Sequence, residues 1–229
     1  MQLDRGFLKV AAVCAGLSAV TTFLLWILPR LYAAPESFAG ELALRANPYY
    51  MARLWVNFVH IFLALTAYAA AARALRFRSP ALAGLGFLWF VMWGFTELIG
   101  VATNIFAVNG TWRAQFTQSA PEVQDRFQTL ILGFQGVWDA LFFLLLAAFL
   151  LGSLFYGLAA WHGRGLERWI GGLFLLAVPL TIAIMIGGYT KSVVFEPLVT
   201  WVYPVLQPVS RGLLGWWLWS RARSVAEAG

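Results

Sequence analysis

Charged residues are scarce in this 229-residue chain. Only 11% of the residues are charged and 61% are hydrophobic, whereas a soluble domain is about a quarter charged and about half apolar. Such a chain could form a sizeable core but could not cover that core with polar surface in water. The same composition excludes disorder, coiled coil and collagen. Although the net charge is +6, the basic residues are scattered and form no basic face, so we expect no nucleic-acid partner.

Residue types that carry redox, metal and covalent chemistry are equally few. Cys14 is the single cysteine, which excludes a disulfide framework and a cysteine-based metal site. The two histidines, His60 and His162, belong to no HxxxH or ExxH pair, and a catalytic metal usually needs three protein ligands. Lys9 and Lys191 lie at the ends of apolar runs, which leaves no lysine for a Schiff base in mid-span. Phosphate-binding and nucleophile-elbow loops are also missing, and we expect no metal and no cofactor.

Long apolar runs dominate what is present. A membrane helix needs about 20 mostly apolar residues, and six stretches qualify. They do not alternate in polarity, which argues against outer-membrane strands. We therefore predict an all-α fold, a polytopic transmembrane helical bundle forming a single integral membrane domain over residues 1–229. The predicted spans are Phe7–Leu28, Arg53–Ala72, Ala81–Phe106, Leu130–Ala160, Trp169–Tyr189 and Val193–Trp219.

The orientation of the bundle is predicted from its basic residues, because cytoplasmic loops are enriched in Lys and Arg. With the N-terminus inside, nine basic residues fall on the cytoplasmic side and six on the other. This favours six spans with both termini cytoplasmic, in a bacterial inner membrane with the lipid bilayer as partner. Trp-rich span ends form the expected aromatic belt. The nine are Arg5, Lys9, Arg73, Arg76, Arg78, Arg164, Arg168, Arg221 and Arg223, and the six are Arg30, Arg45, Arg53, Arg113, Arg126 and Lys191.

Two outer loops, residues 29–50 and 107–125, are longer than the other connections. The second contains Ser119–Glu122, a capping-box pattern with a proline in the first turn. We therefore expect the fourth helix to begin near Ala120. Continued to Ala160, it would be about 60 Å long, roughly twice the bilayer thickness, so that its first turns stand outside as a ledge.

Polar side chains within the spans are the candidate binding residues, because such groups are costly in lipid and usually face the bundle interior or a wet cavity. Counted from the cytoplasmic ends at about 1.5 Å per residue, they form a column that opens outward from the midplane. We predict a polar cavity in the outer half of the bundle, closed on the cytoplasmic side. The candidate ligand-binding residues are Arg53, Asn57, His60, Trp93, Glu97, Asn104, Gln135, Asp139, Tyr203, Gln207 and Arg211.

A purely structural interpretation exists for each of these groups. His60 would hydrogen-bond a neighbouring helix, and Glu97 would pair with Arg211, His60 or Arg53 in a silent network. Left unpaired, Glu97 must either protonate or find a cation. No catalytic residue is assigned. The remaining acidic and basic residues of the outer segments read as ordinary loop charges: Glu36, Glu41, Arg45, Glu122, Asp125 and Arg126.

Three segments carry a resemblance to a known family. They are Gly86–Gly100, with its mid-span Glu97, then Phe127–Phe143 and Leu166–Leu180. In these segments the chain resembles the bacterial six-helix membrane proteins of domain-of-unknown-function family 4386. The resemblance implies a six-span topology and draws attention to Glu97 and Asp139. It implies no activity for either residue.

Three functions remain open on the sequence. The first is binding of a small molecule or lipid headgroup in the cavity, for sensing or translocation. The second is an accessory or structural subunit that packs against a partner membrane protein or a second copy of itself. The third is an intramembrane enzyme that uses Glu97 and His60 as acid–base partners, with or without metal assistance.

Overall fold

The computed structural model describes residues 4–190 and 193–227. It is 92% helical and has no strand among these residues, which confirms the all-α prediction. Lys191 lies outside the described residues. The α-helices are α1 (Arg5–Ile27), α2 (Phe38–Ala43), α3 (Pro48–Leu75), α4 (Pro80–Ala102), α5 (Arg113–Gln118), α6 (Pro121–Trp161), α7 (Leu166–Thr190) and α8 (Tyr203–Glu227). Shorter 3-10 turns occupy Leu28–Leu31, Leu44–Ala46 and Val193–Phe195, and π-helical turns occupy Thr103–Trp112 and Leu198–Val202.

Within the described ranges, five helical stretches are long and apolar enough to cross a membrane. The chain is thus a multi-pass membrane protein by length and composition. The predicted sixth span is divided into short turns followed by α8, which carries Arg211, Arg221 and Arg223 and is less apolar than the other five. The span count of six therefore stays a prediction. The five stretches are Arg5–Leu31, Pro48–Leu75, Pro80–Gln118, Pro121–Trp161 and Leu166–Thr190.

Small residues and aromatic rings build the centre of the bundle. The Tyr68 ring stacks on Phe90 with centroids 3.9 Å apart, and the Tyr156 hydroxyl donates to the Tyr68 carbonyl at 2.7 Å. A methyl group at Gly152 would lie 3.0 Å from the Phe90 ring, so glycine is what lets α4 and α6 approach there. Close packing through small residues is the usual way in which membrane helices associate.

The start of α1 and the end of α8 lie at the same end of the bundle, which we call the terminal end. The Glu167 carboxylate at the start of α7 accepts hydrogen bonds from Arg78, in the α3–α4 turn, and from Arg221, near the end of α8. Lys9 of α1 lies over the Trp219 ring of α8 at 5.9 Å. The opposite end, which we call the loop end, holds the α1–α3 connection and the π-helical turn after α4. The side of the membrane that each end faces stays a prediction.

Helix boundaries at the loop end differ from those predicted. Most of the predicted 107–125 loop is helical, because α4 continues through the π-helical turn and α5 to Gln118. The second span begins earlier than Arg53, at Pro48, where the Asn47 side chain caps the helix. Asn109 and Gly110 favour a turn in isolation, but the side-chain hydrogen bonds described below hold them in a helix.

The long helix α6 begins where expected. Its first residue is Pro121, and its 41 residues correspond to about 60 Å. The predicted capping box does not form, because the N-cap position is Ala120, which has no side-chain acceptor. The Ser119 carbonyl instead accepts a hydrogen bond from the Gln124 side chain at 3.1 Å.

Candidate ligand cavity at the loop end

A cavity of about 510 Å³ lies at the loop end, between α3, the α4 extension, α6 and the segment that follows α1. Its walls mix apolar side chains of α3, α4 and α6 with a set of polar groups. The charged and amide-bearing groups that line it are Glu41, Arg53, Asn57, Asn104, Arg113 and Gln135, joined by the phenols of Tyr32 and Tyr50.

Four of the eleven predicted site residues line this cavity: Arg53, Asn57, Asn104 and Gln135. The Asn47 side chain caps the start of α3 by accepting hydrogen bonds from the Tyr49 and Tyr50 amides. Arg53 and Asn57 lie about one turn apart on this helix, and both face the cavity. The Arg53 guanidinium donates to the Tyr32 hydroxyl at 3.0 Å. The Asn57 side-chain oxygen is buried and has no hydrogen-bond partner among residues 4–190 and 193–227.

The strongest polar contacts of the cavity wall involve Arg113, which the sequence interpretation placed among the outer charges. Arg113 is only 4% exposed, and it donates to the Glu41 carboxylate at 2.6 Å and to the Asn109 side-chain oxygen at 2.7 Å. The interpretation of Glu41 as an ordinary loop charge was therefore wrong. The two residues lie 72 positions apart in segments predicted as loops, and no periodic pattern connects them.

The π-helical turn Thr103–Trp112 supplies the rest of this wall. The Asn109 amide donates to the Asn104 carbonyl at 2.8 Å and to the Asn104 side-chain oxygen at 2.7 Å. The Tyr50 hydroxyl donates to the same Asn104 oxygen at 3.0 Å. The two bonds between Asn109 and Asn104 span five residues, which is the hydrogen-bond spacing of a π-helix. Asn109 in turn accepts from Arg113, which also reaches Glu41.

A second group of predicted residues forms a dry cluster outside the cavity lining. His60, Gln207 and Arg211 are buried at 3%, 5% and 6% exposure. The Arg211 guanidinium makes a short hydrogen bond to Nε2 of His60, and Nδ1 of His60 lies 2.7 Å from the Thr21 hydroxyl. Because arginine can only donate, Nε2 is the acceptor and Nδ1 carries the proton that goes to Thr21. His60 is thus a neutral bridge between α8 and α1.

Aromatic rings enclose this bridge. Trp93 is buried, its ring meets His60 edge to face at 6.3 Å, and the Arg211 guanidinium lies 5.9 Å from the Trp93 ring centre. Tyr203 lies two turns before Arg211 on α8 and packs against the main hydrophobic core. Gln207 lies about one turn before Arg211 on the same helix. The contacts thus connect His60, Trp93 and Arg211, with Thr21 as the member that the sequence interpretation missed.

Glu97 lies between the two groups. It is partly buried on α4, about one turn after Trp93 and two turns before Asn104. The predicted pairings of Glu97 with Arg211, His60 or Arg53 are wrong, since no ion pair of Glu97 within 4.0 Å occurs in the described part of the chain. Arg211 does not pair with Glu97 because its guanidinium is directed at the His60 ring.

Asp139 belongs to neither group. It is exposed on α6, does not line the cavity, and accepts a hydrogen bond from Gln135 at 2.8 Å. Its backbone carbonyl accepts a bond from the Tyr189 hydroxyl at 3.4 Å. Over the residues that the structure describes, no group of three or more His, Cys, Asp and Glu side chains is placed to hold a metal ion.

No protein family, curated protein or solved structure matches the chain. The resemblance to family 4386 therefore stays a prediction.

Proposed function

We propose that this membrane protein binds a small molecule or lipid headgroup in the cavity at the loop end, for sensing or translocation across a bacterial inner membrane. The observation that carries the proposal is unused hydrogen-bonding capacity on the cavity lining. The Asn57 side-chain oxygen and the Arg113 Nε are buried and have no partner among the described residues. Buried polar atoms are nearly always hydrogen-bonded in a native protein, so these two atoms are exceptions, and both belong to residues of the cavity wall.

The charges of the lining indicate what such a ligand carries. Arg53 and Arg113 contribute two positive charges to the lining and Glu41 contributes one negative charge. The excess positive charge favours a phosphate or carboxylate, which an arginine fork can bind through two hydrogen bonds. The volume of about 510 Å³ lies within the range of roughly 300–1,000 Å³ that is usual for ligand sites.

The geometry around His60 argues against a role for it in acid–base catalysis. Both ring nitrogens already have protein partners, Arg211 and Thr21. A general base must reach the substrate proton through a free nitrogen, and His60 does not line the cavity. Ligand binding is therefore the function that the arrangement supports best.

Thermal unfolding of the detergent-purified protein tests the proposal, with glycerol 3-phosphate, acetate and choline as probes. We expect glycerol 3-phosphate to raise the unfolding temperature and choline to leave it unchanged. Arg53→Gln and Asn57→Leu should abolish the rise. The matched control is Arg126→Gln, which removes an exposed arginine from the first turns of α6 and should retain the rise. An equal response in all four proteins, or no response to any probe, would contradict the proposal.

A further inference from the structure

A second cavity, of about 690 Å³, lies at the terminal end of the bundle. It is formed where α1 begins, α3 ends and α4 begins. Phe7, Ala72 and Phe87 contribute apolar walls, and Arg73 and Arg76 place two guanidinium groups on the lining. This combination of an apolar groove and basic groups lies at the helix ends, where α3 finishes and α4 begins.

The two arginines have free hydrogen-bonding capacity. In the described part of the chain, neither belongs to an ion pair, and the buried Nε of Arg73 has no hydrogen-bond partner. Arg76 contacts only the face of the Phe77 ring among the aromatic residues, at 5.2 Å. The single acid of the lining, Asp4, uses one carboxylate oxygen to cap α1 through the Gly6 and Phe7 amides. The lining therefore carries one net positive charge and unused N–H donors.

From this arrangement we propose that the cavity is a binding site for an anionic glycerophospholipid, with the phosphate at Arg73 and Arg76 and an acyl chain along the Phe7–Phe87 walls. Basic pockets between membrane helices bind acidic lipid headgroups. A zwitterionic lipid would gain less, because its own cation opposes the arginines. The site is independent of the cavity at the loop end and does not rest on the function proposed for it.

Arginines that served only to set the orientation of the chain in the membrane would have no reason to line a cavity. Arg164 and Arg223 lie at the same end of the bundle, are exposed and line neither cavity. They are therefore matched controls for Arg73 and Arg76. Gly84 provides a steric control, because it lines the cavity and a methyl group there would meet nothing within 4 Å. A larger side chain at Gly84 can thus occupy the groove without disturbing the helices.

Binding of short-chain lipids to the full-length protein in detergent tests the site. Dioctanoyl phosphatidylglycerol is titrated against dioctanoyl phosphatidylcholine and phosphatidylethanolamine, and affinities are measured by calorimetry. We expect phosphatidylglycerol to bind tightest. Arg73→Gln and Arg76→Gln should each weaken it about fivefold, and Gly84→Leu about tenfold or more. Arg164→Gln and Arg223→Gln should leave it unchanged.

Equal affinity for the three lipids would overturn the proposal, as would an equal loss in the Arg164 and Arg223 variants. If Arg73→Gln fails to fold, as judged by gel filtration, Arg76→Gln and Gly84→Leu decide the matter. Wild-type affinity for phosphatidylglycerol in both of those variants would also overturn it.

Discussion

At the scale of single residues, the most costly group in the bundle is the Arg211 guanidinium. It is 6% exposed in the first half of α8, and an isolated charge in a buried site is strongly unfavourable. His60 offsets part of this cost by accepting its hydrogen bond, and Thr21 completes the chain by accepting the other ring proton. The Thr21 hydroxyl in turn donates to the Ser18 or Leu17 carbonyl at 3.1 Å. Every polar atom of the His60 ring is thus satisfied.

This arrangement makes His60 a stability determinant. We expect His60→Leu to lower the free energy of unfolding by about 3 kcal/mol, because it leaves Arg211 buried without its acceptor. Thr21→Val should cost about 1 kcal/mol, the size of a single hydrogen bond in a membrane protein. Adding Arg211→Met to His60→Leu should recover part of the loss, since the orphan charge is gone. Thermal or denaturant unfolding in detergent compares these variants with wild type and with Arg211→Met alone, and strictly additive losses of His60→Leu and Arg211→Met would contradict the interpretation.

The residues of the site differ in how well the sequence predicts them. Arg53 and Asn57 are one helical turn apart, so helical periodicity alone places them on one face. The Glu41–Arg113 contact joins two segments that look like loops, and its partners meet only because Ser37 caps α2 and the π-helical turn rotates Arg113 inward. Pairing across the bundle depends on which helices are neighbours, and that information lies outside the local pattern.

At the scale of helices, hydropathy predicts the apolar cores well and the ends less well. The fifth span was predicted as Trp169–Tyr189 and forms α7 over Leu166–Thr190. The third span continues past its predicted end at Phe106 to Gln118. The polar side chains of Asn109, Thr111 and Arg113 are satisfied there by hydrogen bonds to residues four and five positions earlier in the same helix. A hydropathy scale applied along the sequence carries no information about such side-chain hydrogen bonds.

The pairing of α1 with α8 depends on one glycine. A methyl group at Gly215 would lie 2.9 Å from the Ala12 carbonyl, whereas one at Gly212 would meet nothing within 4 Å. We expect Gly215→Leu to destabilise the protein by about 1–3 kcal/mol through overpacking against the α1 backbone. Gly212→Leu, on the exposed face of the same helix, should be neutral or slightly stabilising, because leucine favours helix over glycine. Unfolding temperatures in detergent compare the two variants, and equal losses would show that α8 does not pack on α1 through this face.

At the scale of the whole molecule, polar contacts concentrate at the two ends of the bundle. The loop end holds the Arg113–Glu41 pair, and the terminal end holds Glu167 with Arg78 and Arg221. Glu167 is 5% exposed and joins the α3–α4 turn, α7 and α8, so it ties the two halves of the chain together at that end. Between these ends the core is built from alanines, leucines and aromatic rings, and the His60 bridge crosses it from α8 to α1.

The distribution of basic residues predicts the orientation of this two-ended bundle, and the prediction is directly testable. Nine basic residues against six favour the terminal end in the cytoplasm. In a Cys14→Ser background, which has no other cysteine, Gln118→Cys reports on the loop end and His162→Cys on the terminal end. Both positions are exposed, Gln118 as the last residue of α5 and His162 in the turn after α6. Neither change alters the count of Lys and Arg. A membrane-impermeant maleimide should label Gln118→Cys in intact spheroplasts and His162→Cys only after permeabilisation. The reverse labelling pattern would invert the predicted orientation and place the candidate ligand cavity on the cytoplasmic side. Labelling of both cysteines from one side would contradict the placement of Gln118 and His162 at opposite ends of the bundle.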